Sequence, residues 1–184
     1  MQPPTAPLRT YPTVDRLPDE TVTDLLRTTK RIALVGASTD PGRPSHGVMR
    51  FLLERGYDVT PVNPDHLGET IHGRAVVATL DEAAPLDMVD VFRRSEFVAP
   101  VVDAAIRLGA KSVWMQLRVI DEVAAAKARA AGIAVVMDRC PVIEDRRMNL
   151  WLARLPPWPR PHLRSGVTGA VTEPAPGRCA EIGS

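Results

Sequence analysis

A chain of 184 residues has room for one substantial core, and 45% hydrophobic residues with only 4% aromatic suit an aliphatic α/β interior rather than two catalytic domains. The formal net charge of +1 removes the usual ground for nucleic-acid or membrane-surface attraction, and since Lys30, Lys111 and Lys127 are the only lysines among 23 basic residues, arginine position informs more than arginine number. Cys140 and Cys179 have neither metal-site spacing nor the density of a disulfide scaffold, which points to a reducing cytoplasm, and no apolar run approaches the ~20 residues needed to cross a bilayer.

Residues 1–18 are proline-rich and unpatterned, so an N-terminal arm is expected there. A short packing helix follows, where Val22, Leu25 and Leu26 recur at helical spacing. From Arg31 onward, apolar runs of strand length alternate with helical patterns. The strand candidates are IALVGA, DVTPV, MVDVF, SVWMQ and IAVVM, continuous and β-branched as befits strands covered on both faces. That alternation predicts an α/β fold: a Rossmann-like, doubly wound, mainly parallel sheet of about five strands, forming a single domain over residues 19–147.

Between the strands, Ser45 is expected to cap the helix HGVMRFLLER, and Gly56 to stop it. The irregular stretch from Asn63 to Leu80 has room for a short strand near Ala75–Val77, with a brief helix near Asp81. Pro100 breaks any long helix begun at Ser95, so one loose turn and then a helix from Ala99 to Leu108 are expected, ended by Gly109. DEVAAAKARAAG closes the series, with Asp121 as cap and Gly132 as terminator. Residues 148–184 turn to proline and small side chains and read as a poorly ordered tail, in which Trp151 and Trp158 would be the anchors of any docking.

In an open parallel sheet the ligand sits at the carboxyl ends of the strands. Gly36, Ala37 and Ser38 end the first. A dinucleotide fingerprint counted from Gly36 would put glycines where Ser38 and Pro41 stand, so the loop ASTDPGRPSHG is not built for NAD in the usual way. It is longer than a dinucleotide turn and carries Arg43 and Ser45, while Pro41 and Pro44 limit its freedom. With the amino end of the next helix pointing to the same edge, it suits a pyrophosphate. The second strand ends in Asn63 and Pro64, where NAD would need a carboxylate. A neutral residue there favours a phosphorylated ribose, as in coenzyme A or NADP. VDVFRRSE places Arg93 and Arg94 at the edge, where a guanidinium–phosphate hydrogen bond contributes ~1.5–3 kcal/mol. VWMQLRV brings Gln116 to the same edge, with Trp114 and Met115 as core, and Cys140 follows the last strand near the ligand.

On these segments the chain resembles the small stand-alone coenzyme A binding proteins with a Rossmann-type fold, relatives of the coenzyme A domain of succinyl-coenzyme A synthetase α subunits. The resemblance runs from about Leu25 to Asp145, through IALVGASTDPGRPSHGV, VNP, VDVFRRSE, VWMQL and VVMDRC. It implies coenzyme A or an acyl-coenzyme A as ligand. Gly36, Ser38, Arg43 and Ser45 would lie by the phosphates, Asn63 and Pro64 by the adenosine, and Phe92, Arg93, Arg94 and Gln116 along the remainder, with Ala37, Pro44 and Leu117 completing the lining. Arg118 departs from the family, which tends to have glycine there; its side chain would crowd the ligand or add a phosphate contact.

No nucleophile elbow, Gly-Lys-Ser/Thr phosphate loop or metal-ligand cluster occurs, and His46, His66, His72 and His162 form no catalytic grouping. The chain therefore reads as a binder rather than an enzyme, with coenzyme A as its partner and neither nucleic acid nor membrane; self-association is left open. The alternatives are an NADP-linked reductase or redox sensor, and an interaction protein with a vestigial nucleotide site.

Overall fold

Each β-branched run becomes a strand where helices can cover both of its faces. The computed structural model describes residues 14–15 and 17–150. In chain order the strands are β1 (Arg31–Val35), β2 (Asp58–Val62), β3 (Thr70–Ile71), β4 (Arg74–Ala75), β5 (Met88–Val91), β6 (Ser112–Met115) and β7 (Ala134–Val136). The helices are α1 (Asp19–Thr28), α2 (Pro44–Glu54), α3 (Val98–Arg107), α4 (Glu122–Ala130) and α5 (Pro141–Arg147). β2-β1-β5-β6-β7 is the order of a five-stranded, all-parallel sheet, and β3 and β4 form a small antiparallel pair. All five predicted core strands are present, and the fold is the expected Rossmann-like, doubly wound α/β architecture.

Strand alternation divides the interior into two layers. Ala33, Val35, Val89, Val91 and Val113 face α3 and α4. Ile32, Leu34, Met88 and Trp114 face the other way and pack with Val22 and Leu26 of α1 and Met49 and Leu52 of α2. From β1 the chain first builds β2 on one side; it then returns with β5 on the other side and continues outward through β6 and β7. The order therefore reverses between β1 and β5, which is where the strand ends open a crevice.

Several local expectations hold. Asp121 caps α4, its Oδ1 accepting from the Ala124 N–H at 2.9 Å. The loose turn after Ser95 is a single 3-10 turn, Ser95–Phe97, before α3. Gly56, Gly109 and Gly132 all take left-handed conformations just past their helices.

Others are corrected. Ser45 does not cap α2: Pro44 occupies the first helical turn, Arg43 is the cap position without a side-chain hydrogen bond, and Ser45 is buried inside the first turn. Near Asp81 there is a hydrogen-bonded turn instead of a helix, with Ala83 and Ala84 donating to the Leu80 and Asp81 carbonyls. α5 was not anticipated. It starts on Pro141 and is held by Arg55–Asp145 and Arg147–Asp19 ion pairs to α2's end and α1's start.

Of the expected arm, Asp15 has its side chain sealed from solvent and accepts from Arg139 Nη2 at 2.7 Å and from the Met137 N–H at 2.9 Å. The rest of the arm, residues 1–13 and 16, and the expected tail from 151 on, including Trp151 and Trp158, lie outside the described residues. No helix among the described residues is long and apolar enough to cross a membrane.

Candidate functional site

The crevice between β1 and β5 is narrow because its two walls touch. Gly36, one residue past β1, has φ +85°, and a Cβ there would come within 3.2 Å of the Phe92 carbonyl carbon and 3.3 Å of Arg93 Cδ. Only glycine meets both demands, the left-handed turn and the close approach of the loop after β5. Beyond Gly36 the chain is tied down internally. Ser38 Oγ accepts from the Asp40 N–H at 3.2 Å, Asp40 Oδ1 accepts from the Gly42 N–H at 2.8 Å, and the Arg43 N–H donates to the Asp40 carbonyl at 3.0 Å. The loop thus reaches Pro44 with the start of α2 free of any side-chain cap.

These elements enclose a cavity of about 680 Å³ at the carboxyl edge of the sheet. Its first wall is Gly36, Ala37, Ser38, Arg43, Pro44 and Ser45. The opposite wall is Phe92, Arg93 and Arg94 after β5, and Gln116 and Leu117 after β6. Asn63 lies at the β2 end. It is buried, and its amide is already committed: Nδ2 donates to the Ala37 carbonyl at 2.7 Å and Oδ1 accepts from the Asp65 N–H at 3.2 Å. It therefore staples the first wall to the end of β2. Pro64 is exposed and does not line the cavity, because it opens a 3-10 turn that brings His66 to the wall in its place.

The arginines differ in how firmly they are held. The Arg93 guanidinium sits 5.4 Å from the centroid of the Phe97 ring, a cation–π geometry that orients it. Arg94 is mostly solvated and only 3.8 Å from Glu96 Oε1, and Arg43 is 3.9 Å from Asp40. Arg118 lines the far end with φ +66°, its N–H donating to Asp138 Oδ1 at 2.6 Å. A glycine would take that conformation without strain, which accounts physically for the residue type expected there. Cys140 lines the cavity too; burial pushes its thiol up from the ordinary range, with nearby Asp90 and Glu144 adding to the effect.

One family model, described as a CoA binding domain, matches residues 30–146. The chain belongs to the CoA binding domain family. YneT of Bacillus subtilis (strain 168) is 35% identical over 119 residues, covering 65% of this chain and 87% of that protein. Among solved structures, a hypothetical protein from Pyrococcus horikoshii OT3 is 39% identical with a TM-score of 0.71, over 76% of this chain and 98% of that one. Another, cell-free ID.343 from Thermus thermophilus, is 38% identical with a TM-score of 0.68, over 72% and 99%.

Within this CoA binding domain the sequence reading missed Val48, His66, Phe97 and Val119, which also line the cavity. More consequential is Asp90, a fully buried carboxyl in the middle of β5. Burial raises it to about 7, against the opposing hydrogen bond from Gln116. A signal for it was present in MVDVF: an ionisable residue inside a run read as covered on both faces needs a reason to be there.

Proposed function

We propose that the protein binds coenzyme A or an acyl-coenzyme A in the crevice between β1 and β5, as a binding module of the cytoplasm without chemistry of its own. The observation that carries this reading is the coincidence of the cavity with the point of strand reversal, in a chain whose family is that of the CoA binding domain. Its volume lies in the ~300–1,000 Å³ range of small-molecule sites. Arg43, Arg93, Arg94 and Arg118 ring a cavity that also holds the uncapped start of α2, which suits a ligand bearing several phosphates.

In this reading Gly36, Ala37, Ser38, Arg43, Pro44 and Ser45 receive the pyrophosphate, Asn63 shapes the adenosine end, and Phe92, Arg93, Arg94, Gln116 and Leu117 follow the pantetheine arm. The guanidinium, hydroxyl and amide groups of the lining are suited to holding anions. No carboxylate side chain stands at Asn63 to accept from a free ribose hydroxyl, which favours the 3′-phosphorylated ribose of coenzyme A over NAD.

The test is one calorimetric series with coenzyme A, acetyl-coenzyme A, dephospho-coenzyme A, NAD and NADP. Coenzyme A is expected to bind best, dephospho-coenzyme A more weakly by ~1–3 kcal/mol for a lost charged hydrogen bond, and NAD weakest. NAD or NADP binding as tightly as coenzyme A refutes the assignment.

A further inference from the structure

Asp90 lines no part of the cavity, yet it determines what one wall can offer. It sits in β5 opposite Leu34 of β1 and Trp114 of β6, all three fully buried. A carboxyl group in such a place is costly unless hydrogen-bonded. Its Oδ1 accepts from Gln116 Nε2 at 2.8 Å, and Oδ2 has no partner among the described residues. Gln116 stands one residue past β6 and lines the cavity.

A primary amide has two unlike ends, a donor nitrogen and an acceptor oxygen. Above about pH 7 Asp90 is an ionised carboxylate, which can only accept, so it draws the nitrogen of Gln116 inward and excludes the flipped arrangement. The carbonyl Oε1 is the end left for the cavity; it has no hydrogen-bond partner among the described residues and is not among their sealed, unpaired polar atoms.

We propose that Asp90 is a positioning residue for ligand recognition: by holding Gln116 with its carbonyl outward, it makes the wall beside β5 and β6 an acceptor for an amide N–H of the bound molecule. This rests on the coenzyme A reading. The pantetheine arm carries secondary amides, each with one N–H, whereas 3′-phosphoadenosine 5′-diphosphate, which is coenzyme A without that arm, has none. A polar link that served only to join β5 to β6 would make no distinction between the two ligands.

The experiment is titration calorimetry at pH 8.5, where Asp90 is ionised, of coenzyme A and of the arm-less diphosphate against the unaltered protein, Asp90→Val, Gln116→Ala and the double variant. Each single variant is expected to weaken coenzyme A about five- to tenfold, the size of one ordinary hydrogen bond, and to leave the diphosphate unchanged. Asp90→Val should add nothing once Gln116 is gone. Additive losses, an equal loss for both ligands, or unchanged coenzyme A affinity in Asp90→Val overturns the proposal.

Should Asp90→Val fail to fold, nitrogen-15 NMR on the unaltered protein decides. The Gln116 side-chain NH₂ signal, assigned by its disappearance in Gln116→Ala, is expected to stay protected from exchange when coenzyme A is bound, and its exposure on binding overturns the proposal. Coenzyme A failing to bind the unaltered protein refutes the coenzyme A reading itself; the other adverse outcomes refute only the role of Asp90.

Discussion

Replacing Asp90 with asparagine is expected to stabilise the protein at neutral and alkaline pH but not in acid. Burial raises this carboxyl to about 7, with Gln116 pulling the other way, whereas the same group in an unfolded chain titrates near ~3.9. Between those values the folded form holds a proton that the unfolded form has released. Stability from this group is thus greatest below about pH 4, falls as pH rises through about 7, and is level above. The gap of about three units, at ~1.4 kcal/mol each, amounts to a penalty of ~4 kcal/mol at pH 8.

Asparagine has nearly the same shape, keeps an acceptor for Gln116 Nε2 and never ionises. Its Nδ2 takes the place of the unpaired Oδ2, at a cost of ~1–3 kcal/mol that does not depend on pH. Asp87 behaves in the opposite sense. Burial would raise it, but hydrogen bonds from the Arg31 backbone and guanidinium, from Lys111 and from the Lys30 N–H prevail and hold it well below the usual carboxylate range. Its contribution is therefore lost in acid. Both proteins share Asp87, so it cancels in their difference.

Urea denaturation of the parent and Asp90→Asn should show a stability difference that shifts in favour of asparagine by ~3–4 kcal/mol between pH 4 and pH 8. A difference that stays flat across that range refutes the reasoning.

Three further outcomes are expected. Arg93→Ala should weaken coenzyme A by ~1.5–3 kcal/mol because Phe97 orients its guanidinium, and the mostly solvated Arg94→Ala by less than ~1 kcal/mol; calorimetry at two salt concentrations compares them, and equal small losses return Arg93 to the solvent. Gly36→Ala should destabilise the fold by ~1–2 kcal/mol, since its φ is left-handed and its Cβ would meet Phe92, and should widen the crevice enough to impair binding; urea denaturation with calorimetry reads both, and a neutral variant contradicts the contact. Cys140 should alkylate slowly at pH 7 and markedly faster only at alkaline pH, because burial keeps its thiol protonated, and coenzyme A should slow it further; rapid modification at neutral pH, read by intact mass, argues otherwise.

The sequence by itself determined the five core strands, because continuous β-branched runs are local signals that survive any tertiary context in which both faces are covered. It also determined most of the candidate site. Once strands and helices alternate, the residues just past each strand must gather at one edge of a parallel sheet, and that places Gly36 through Ser45 opposite Phe92 through Arg94 and Gln116.

The tertiary structure alone decided matters that depend on partners distant in the chain. The strand order fixes which loops face each other across the crevice, and no local pattern encodes it. Pro64 was out of reach for a related reason: the turn it opens gives its place on the wall to His66. Asp15 meeting Arg139, and α5 closing against α1 and α2, rest on ion pairs across the fold. Asp90 is the sharpest case. Its burial, its shifted titration and its hold on Gln116, 26 residues away, exist only because β5 lies between β1 and β6, where no water reaches the carboxyl and one amide is its sole partner among the described residues.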